Sequence, residues 1–380
     1  MWQNLIGQER VKNILKNILS SGRVSHSYIF YGKNGVGKDA AAIEIAKYLN
    51  CENPDIETGA CDKCKSCKDV QSLKSMLLKF ITALPTGKDG DENSVLQSLE
   101  KADYENYLSE IEIKSENPYH KISLEKANFI RISSIREIKD LIYLTGSDNR
   151  TKVFLISDAD NMNPQSANAL LKILEEPPKN SLLVLTTSKL NSLLPTIIGR
   201  CQKIHFDSIS KENIIKYINT IQPEFSDSQL NFYAELADGS VSKALNIIHG
   251  SYDELRKKVL VLLRNLVTMN TIKAGFDIDF ITGKKDKERV RQFVIVMQIW
   301  IRDVLYKRSG TDELVINKDE MDSISKFAQR YNSDYFEIIN LLENAINDID
   351  YNVNLELMLF NLFVKIRELI LAGEVKPVKA

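Results

Sequence analysis

The sequence predicts an α/β protein, a doubly wound parallel sheet covered by helices, followed by a part that is helical throughout. Up to about residue 207, short apolar runs alternate with helical spacing of apolar residues, and such alternation is typical of parallel sheets with helices on both faces. Beyond that residue the strand-like runs stop, while the helical spacing continues. A chain of 380 residues, 43% of them hydrophobic, has material for two or three domains.

Five short apolar or β-branched runs are the predicted strands. They are HSYIFYG (26–32), FIRI (129–132), KVFLIS (152–157), SLLVLTT (181–187) and QKIHF (202–206). The predicted helices include the apolar spacing over 11–19, the alanine-rich segment DAAAIEIAKYLN (39–50) and NPQSANALLKILEE (163–176). After residue 207 short helices come first, and long helical patterns follow from about residue 252.

The stretch YGKNGVGKDA follows the first predicted strand and opens a helix, which is the context of a phosphate-binding loop. Gly32, Gly37 and Lys38 have the spacing of that loop, and Gly35 adds a further glycine. Glycines let backbone N–H groups approach a phosphate, and the lysine neutralises its charge. Asp39, however, stands where a serine or threonine hydroxyl would ligate Mg²⁺. The interpretation is an inherited phosphate loop at which ATP or ADP binding stays open and hydrolysis is not expected; a plain glycine turn is the alternative.

A second departure lies at the end of the predicted strand KVFLIS. A hydrolysing enzyme of this type ends that strand with Asp-Glu, where the Asp helps to hold Mg²⁺ and the Glu orients the attacking water. Here either Ser157 and Asp158 occupy those positions or, one residue along, Asp158 and Ala159 do. Neither register is complete, and Asp158 and Asp160 also suit a turn that caps the next helix.

Four of the five cysteines, Cys51, Cys61, Cys64 and Cys67, fall within seventeen residues. In a chain that starts without an export signal, such clustering favours a metal site over disulfides. Four thiolates complete a tetrahedral zinc site with no open position, so we expect structural Zn²⁺. An iron–sulfur cluster is a weaker alternative, because the fourth Cys-Pro of that pattern is missing downstream. Cysteines that bind no metal are the remaining alternative.

Charge and composition limit the partners and the cellular location that we expect for the chain. The net charge is −1, so no overall field attracts nucleic acid. The start, MWQNLIGQERVKN, lacks the basic-then-apolar layout of a signal peptide, and no apolar run approaches the ~18–20 residues needed to span a bilayer. We therefore expect a cytoplasmic protein without a membrane partner. Residues 86–126 carry ten acidic side chains against five lysines, which predicts a solvated helical insertion without a functional signal.

Several segments together resemble the clamp-loader AAA+ subunits of bacterial DNA polymerase III. They are LIGQ (5–8), GRVSHSYIFYGKNGVGK (22–38), the four-cysteine segment, SANALLKILEEPP (166–178) and GRC (199–201). The resemblance implies an AAA+ phosphate-loop α/β domain over 1–207, with a zinc module at about 51–67 and the insertion at about 86–126. It further implies a small helical lid domain over 208–250 and a helical collar, or oligomerisation, domain over 251–380.

Three departures distinguish two types within that family. An ATP-hydrolysing gamma/tau type is expected to carry Gly-Lys-Thr/Ser, Asp-Glu and a sensor arginine. This chain has Asp39, Ser157 and, within GSVSKAL, Ser242 at those places. The losses favour the non-hydrolysing delta prime type, with no catalytic residue acting within its own chain. The gamma/tau type and a stand-alone nucleotide-binding switch are the alternatives.

The resemblance also implies roles for two further residues. Arg200, in Gly199-Arg200-Cys201, matches an arginine finger that reaches the ATP of a neighbouring subunit, although glycine replaces the serine of the family motif. A guanidinium so placed can raise the rate ~10³-fold or more. Thr187 matches the family's first sensor. The implied partners are the gamma/tau and delta subunits of a hetero-oligomeric ring, the sliding clamp and primer–template DNA.

Overall fold

A computed structural model of the chain describes residue 2 and residues 4–85, 95–143, 150–249, 252–268, 287–349 and 353–374. The chain folds into two compact units. The first comprises Met1–Thr220 with Ala237–Ala244, and the second comprises Ile221–Leu236 with Leu245–Ala380. The division into three domains at 1–207, 208–250 and 251–380 stays a prediction.

The centre of the first unit is a sheet of five strands. They are β1 Ser27–Tyr31, β2 Leu78–Ile81, β3 Lys152–Ile156, β4 Ser181–Thr187 and β5 Gln202–His205. Their spatial order is β2-β3-β4-β1-β5, and every neighbouring pair is parallel. The carboxyl ends of the strands therefore meet at one edge of the sheet. This arrangement confirms the predicted parallel α/β fold.

Four of the five predicted strands are present, but the run at 129–132 is not one of them. Ile130 makes only an isolated bridge to Met162, and a helix begins at Ile132. The remaining strand is β2, which pairs with β3 at the edge of the sheet. Its run LKFI is four residues long and contains a lysine. It therefore carries little of the apolar periodicity from which strands are predicted.

Ten helices precede residue 250 in the described part of the chain. They are α1 Glu9–Ser20, α2 Lys38–Asn50, α3 Lys65–Gln71, α4 Lys101–Glu116, α5 Ile132–Tyr143, α6 Pro164–Glu175, α7 Pro195–Ile198, α8 Lys211–Ile221, α9 Asp227–Ala237 and α10 Val241–His249. Helix α6 shows why such segments are helical. The Asn163 side chain accepts a hydrogen bond from the Ser166 amide at 2.8 Å, and Pro164 stands in the first turn, where no intrahelical N–H bond is needed.

One face of the sheet packs against α5 and α6 to form a core. Alternate strand residues point to this face, because side chains alternate across a strand. The strands contribute Ile29, Phe154, Ile156, Leu183 and Leu185, and the two helices contribute Ile135, Ile138, Leu170 and Ile173. This core holds β1, β3 and β4 in register, so the residues that follow them lie side by side.

Helices also make up the described part of the second unit beyond α10. They are α11 Tyr252–Val267, α12 Lys287–Arg308, α13 Met321–Arg330, α14 Tyr335–Asp348 and α15 Leu355–Ala372. Helix α12 packs against α11, α13 and α14, and α15 packs against α11 and α14. The long helical patterns predicted for this region are thus confirmed. None of the described helices combines the length and the apolar character needed to cross a bilayer.

Candidate functional site

The loop between β1 and α2 requires glycine at two places. Gly32 has a φ of +150°, and a Cβ there would lie 2.2 Å from the carbonyl oxygen of Phe206. Gly35 has a φ of +75°, and a Cβ there would lie 2.1 Å from the Ser240 hydroxyl. The loop therefore has the glycine-dependent path of a phosphate loop, and its backbone lies tightly against the residues after β5 and before α10.

Lys38, the lysine of the loop, is bound to its own backbone. Its Nζ donates to the carbonyl oxygens of Gly32 at 2.8 Å and Lys33 at 2.6 Å. The residue is only 6% exposed, and burial lowers the pKa of its ammonium. The group that would neutralise an outer phosphate is thus engaged within the loop.

Asp39 lies at the centre of a buried polar cluster. Its Oδ1 accepts from the Thr186 hydroxyl at 2.8 Å, and its Oδ2 accepts from the Ser157 hydroxyl at 2.8 Å. The same Oδ2 lies 2.9 Å from the Nζ of Lys114. Burial raises the pKa of Asp39, but the Lys114 ammonium and the two hydroxyl donors outweigh it, so the pKa falls below its ordinary value. Asp39 is therefore an ion-paired carboxylate.

Lys114 belongs to the insertion, near the end of α4. The expectation of a solvated insertion is wrong for this segment, because Tyr107, Ile111 and Lys114 are all buried. These residues share one face of the helix, at helical spacing. The helical spacing of these residues in the sequence indicates a buried face of α4, although it does not indicate what Lys114 contacts.

The segment that follows α4 lies across the phosphate loop. The Tyr119 hydroxyl accepts from the Ile6 amide at 2.8 Å, and its carbonyl oxygen accepts from the Ser242 hydroxyl. A Cβ on Gly37 would lie 2.9 Å from the Tyr119 hydroxyl. The cavity left beside the loop has a volume of about 70 Å³, whereas small-molecule sites usually measure ~300–1,000 Å³. The space beside the loop is therefore small for a nucleotide.

The end of β4 shows how strand alternation separates two threonines. Thr186 reaches Asp39, whereas the Thr187 hydroxyl donates to Asp160 at 2.7 Å. Thr187 is fully buried. The predicted sensor thus lies on the other side of the strand from the Asp39 cluster. Its neighbour Thr186 is the functional-site residue that sequence reasoning missed.

Arg200 follows α7 and keeps its guanidinium partly in solvent. Its Nη2 pairs with Glu175 at 2.8 Å, its Nη1 donates to the Thr196 carbonyl at 3.0 Å, and 38% of the side chain is exposed. The backbone is fixed more firmly, since the Ser27 hydroxyl donates to the Arg200 carbonyl at 3.0 Å. A rigid strand thus positions an arginine whose charged end is available to another molecule.

The four clustered cysteines come together as predicted. The Sγ atoms of Cys51, Cys61, Cys64 and Cys67 all lie within 4.8 Å of one another. Hydrogen bonds from the amides of Lys63 and Cys64 lower the pKa of the Cys61 thiol to about 6, whereas burial raises the pKa of the Cys51 and Cys67 thiols. The set fits a tetrahedral zinc ion held by four sulfur ligands.

An ion cluster around a buried lysine joins this cysteine module to helix α2. Lys47 is 1% exposed, and its Nζ lies 2.6 Å from Glu44 and 2.6 Å from Asp62. Burial lowers the pKa of Lys47, but the two carboxylates outweigh it and raise the pKa. Asp62 directly follows Cys61, so the geometry of the module determines whether Lys47 keeps its second partner.

Known sequence families match most of this chain. The profile of the family described as DNA polymerase III, delta subunit, matches residues 7–210. That described as DNA polymerase III, delta subunit, C terminal, matches residues 278–368.

Individual relatives fall into two groups. Subunit delta' of Bacillus subtilis DNA polymerase III is 27% identical over 371 residues, which are 95% of this chain and 96% of that protein. The gamma subunit of Buchnera aphidicola subsp. Schizaphis graminum is 29% identical over 251 residues, or 65% of this chain, and the match spans 57% of the gamma subunit's length. A gamma subunit-related protein of Thermotoga maritima aligns with a TM-score of 0.48 at 17% identity, covering 94% of this chain and 99% of that one.

The first family profile matches more than half of the 380 residues and includes the loop, the cysteines and Arg200. The chain therefore belongs to the DNA polymerase III delta subunit family.

Proposed function

We propose that this chain is the delta prime subunit of a bacterial clamp loader, which helps to place the sliding clamp on primed DNA without hydrolysing ATP itself. One relative, matched over 95% of this chain and 96% of its own length, is a delta' subunit. Its proposed partners are the gamma/tau and delta subunits of a cytoplasmic replication complex, together with the clamp and primer–template DNA. Cys51, Cys61, Cys64 and Cys67 would hold a structural zinc ion.

The observation that carries the non-hydrolysing role is the internal pairing of the phosphate loop. Lys38 is bound to two loop carbonyl oxygens, and Asp39 is bound to Ser157. Phosphoryl transfer depends almost entirely on positioning and on charge at the phosphates. Because Lys38 and Asp39 are bound to other groups of the protein here, neither is available to position or neutralise a phosphate. We therefore expect no hydrolysis at this loop.

The isolated chain is therefore expected to show no magnesium-dependent ATP hydrolysis above that of its own Lys38→Ala variant. The measurement is phosphate release at saturating ATP, with and without Mg²⁺ and primed DNA. A gamma/tau-type subunit would instead lose turnover on this substitution. A Mg²⁺-dependent rate that disappears in Lys38→Ala contradicts the non-hydrolysing role.

Arg200 is proposed to serve the ATP of a neighbouring subunit. Its backbone is anchored to β1, and its guanidinium is partly exposed. Such a group can stabilise the charge that develops on a transferring phosphate without any catalytic group in its own chain. In the chain alone this guanidinium pairs with Glu175 at 2.8 Å, a contact that it would exchange for the phosphate.

Helix α15 presents an apolar stripe that suits the proposed collar. Leu357, Phe360 and Val364 are 59%, 57% and 40% exposed, and their spacing places them on one face of the helix. The opposite face is buried in the second unit through Leu359, Phe363 and Ile366, among others. Contiguous exposed apolar surface commonly marks an interaction site. We propose that the collar helices of neighbouring subunits cover this stripe.

Phe360→Asp is expected to weaken association with gamma/tau and delta by at least about tenfold, because it places a charge within a buried apolar contact. Gln329→Asp, which adds the same charge on the exposed surface of α13, is the matched control. Sedimentation velocity of the mixed subunits measures both. If the two variants associate equally well with the partner subunits, α15 is not part of the interface.

A further inference from the structure

We propose that Lys114 takes the place of the metal ion at the phosphate loop, and that the insertion thereby closes this loop to magnesium nucleotides. The inference rests on the proposed non-hydrolysing function, and it assigns a role to the part of the insertion that the structure describes, residues 95–126. It follows from the charges, burial and contacts of the residues around Asp39.

In phosphate-loop enzymes, two positions hold magnesium. There the loop supplies a hydroxyl and the neighbouring strand supplies a carboxylate. This chain has the carboxylate on the loop, at Asp39, and a hydroxyl after the strand, at Ser157, and the two are hydrogen-bonded at 2.8 Å. The pair of groups is retained with its places exchanged, so one negative charge still requires a cation.

The cation beside Asp39 is the ammonium group of Lys114. The Lys114 Nζ lies 2.9 Å from Asp39, and its side chain is 3% exposed. It also donates to the carbonyl oxygens of His120 at 2.7 Å and Pro118 at 3.3 Å. An ammonium has three N–H donors, and all three have acceptors here. The ammonium is therefore fully coordinated by the protein, as a bound metal ion would be.

The residues that follow Lys114 cover the glycine loop. The segment after Lys114 is held through Tyr119, which bonds Ile6 and Ser242, and through Lys121, which pairs with Asp158 at 3.2 Å. These contacts come from the start of the chain, from α10 and from the end of β3. Since the anchors lie on several sides, the segment stays over the glycine loop, and only the cavity of about 70 Å³ remains.

Lys114 and Asp39 are buried partners of opposite charge, so removing one leaves the other unpaired. Lys114→Met leaves a buried carboxylate without its cation and should lower Tm by roughly 10 °C. Lys101→Met is the matched control on the same helix, because Lys101 is 90% exposed in its side chain and pairs only at the surface; its Tm should change by about 1 °C or less. The double variant Lys114→Met/Asp39→Asn should regain at least half of the loss, since no unpaired charge remains.

The test combines this cycle with a nucleotide titration of the full chain. The probe is the fluorescent N-methylanthraniloyl derivative of ATP, with and without Mg²⁺. Wild type should show no magnesium-dependent binding below millimolar concentrations. Magnesium-dependent binding at micromolar concentrations, equal Tm losses for Lys114→Met and Lys101→Met, or no recovery in the double variant would each overturn the inference.

The outcome is separable from that of the proposed function. A wild-type chain that binds magnesium nucleotide and still stimulates its partners contradicts the closure by Lys114 and leaves the clamp-loader role intact. A chain that shows the Lys114–Asp39 coupling and binds no nucleotide, yet never joins the partner subunits, contradicts the clamp-loader role alone.

Discussion

Arg200→Ala is expected to lower ATP turnover at the neighbouring site by about 10³-fold or more in a reconstituted clamp loader. The reason is the loss of a guanidinium that stabilises the transferring phosphate. Arg200→Lys should recover only part of the rate, because an ammonium lacks the planar fork of donors. Binding of ATP by the partner should change far less than its turnover.

The measurement requires that only one ATP site contributes. DNA-stimulated phosphate release should be followed in an assembly whose other ATP sites carry substitutions of their loop lysines. Lys203→Ala is the matched control, since it removes an exposed cation three residues further along the chain. Unchanged turnover in Arg200→Ala, or equal losses in the two variants, excludes Arg200 as the finger.

Loss of the proposed zinc ion is expected to have the largest effect on stability. Cys67 is the buried member of the four, 1% exposed, and Cys67→Ser should remove the bound metal and lower Tm by more than about 10 °C, because metal binding is coupled to folding in such sites. Displacement of the module would also unpair Asp62 from Lys47, which is buried. The effect should therefore extend from the cysteine module into α2.

Zinc content by plasma mass spectrometry and Tm with and without a chelator measure this effect. One zinc ion per wild-type chain is expected, and none in Cys67→Ser. Cys201→Ala is the control, because Cys201 lies outside the cluster. This variant should retain one zinc ion per chain. A Cys67→Ser chain that retains both metal and Tm contradicts a structural four-cysteine site.

Local patterns predicted much of this protein. The strands β1, β3, β4 and β5, helix α6 and the cysteine cluster each follow from residues that are close in sequence. The departures at Asp39 and Ser157 were predicted to belong to one site, and the hydrogen bond between them places them there. Parallel strands make this possible, because their carboxyl ends meet at one edge of the sheet.

What the sequence did not predict depends on contacts between distant segments. Lys114 and Asp39 are brought together by packing of the insertion, and no local periodicity encodes that pairing. The edge strand β2 is too short for its pattern to be distinctive. Thr186 was missed in favour of Thr187 because strand alternation sends neighbouring side chains to opposite faces.

The proposal that this chain serves ATP hydrolysis in its neighbours is tested most directly by adding it to gamma/tau and delta. ATP turnover should be measured in the presence of sliding clamp and primed DNA, with and without this chain. We predict that the chain joins the assembly and raises turnover, although it hydrolyses no ATP alone. A chain that stays monomeric in the mixture, or that leaves turnover unchanged, would contradict the proposed role.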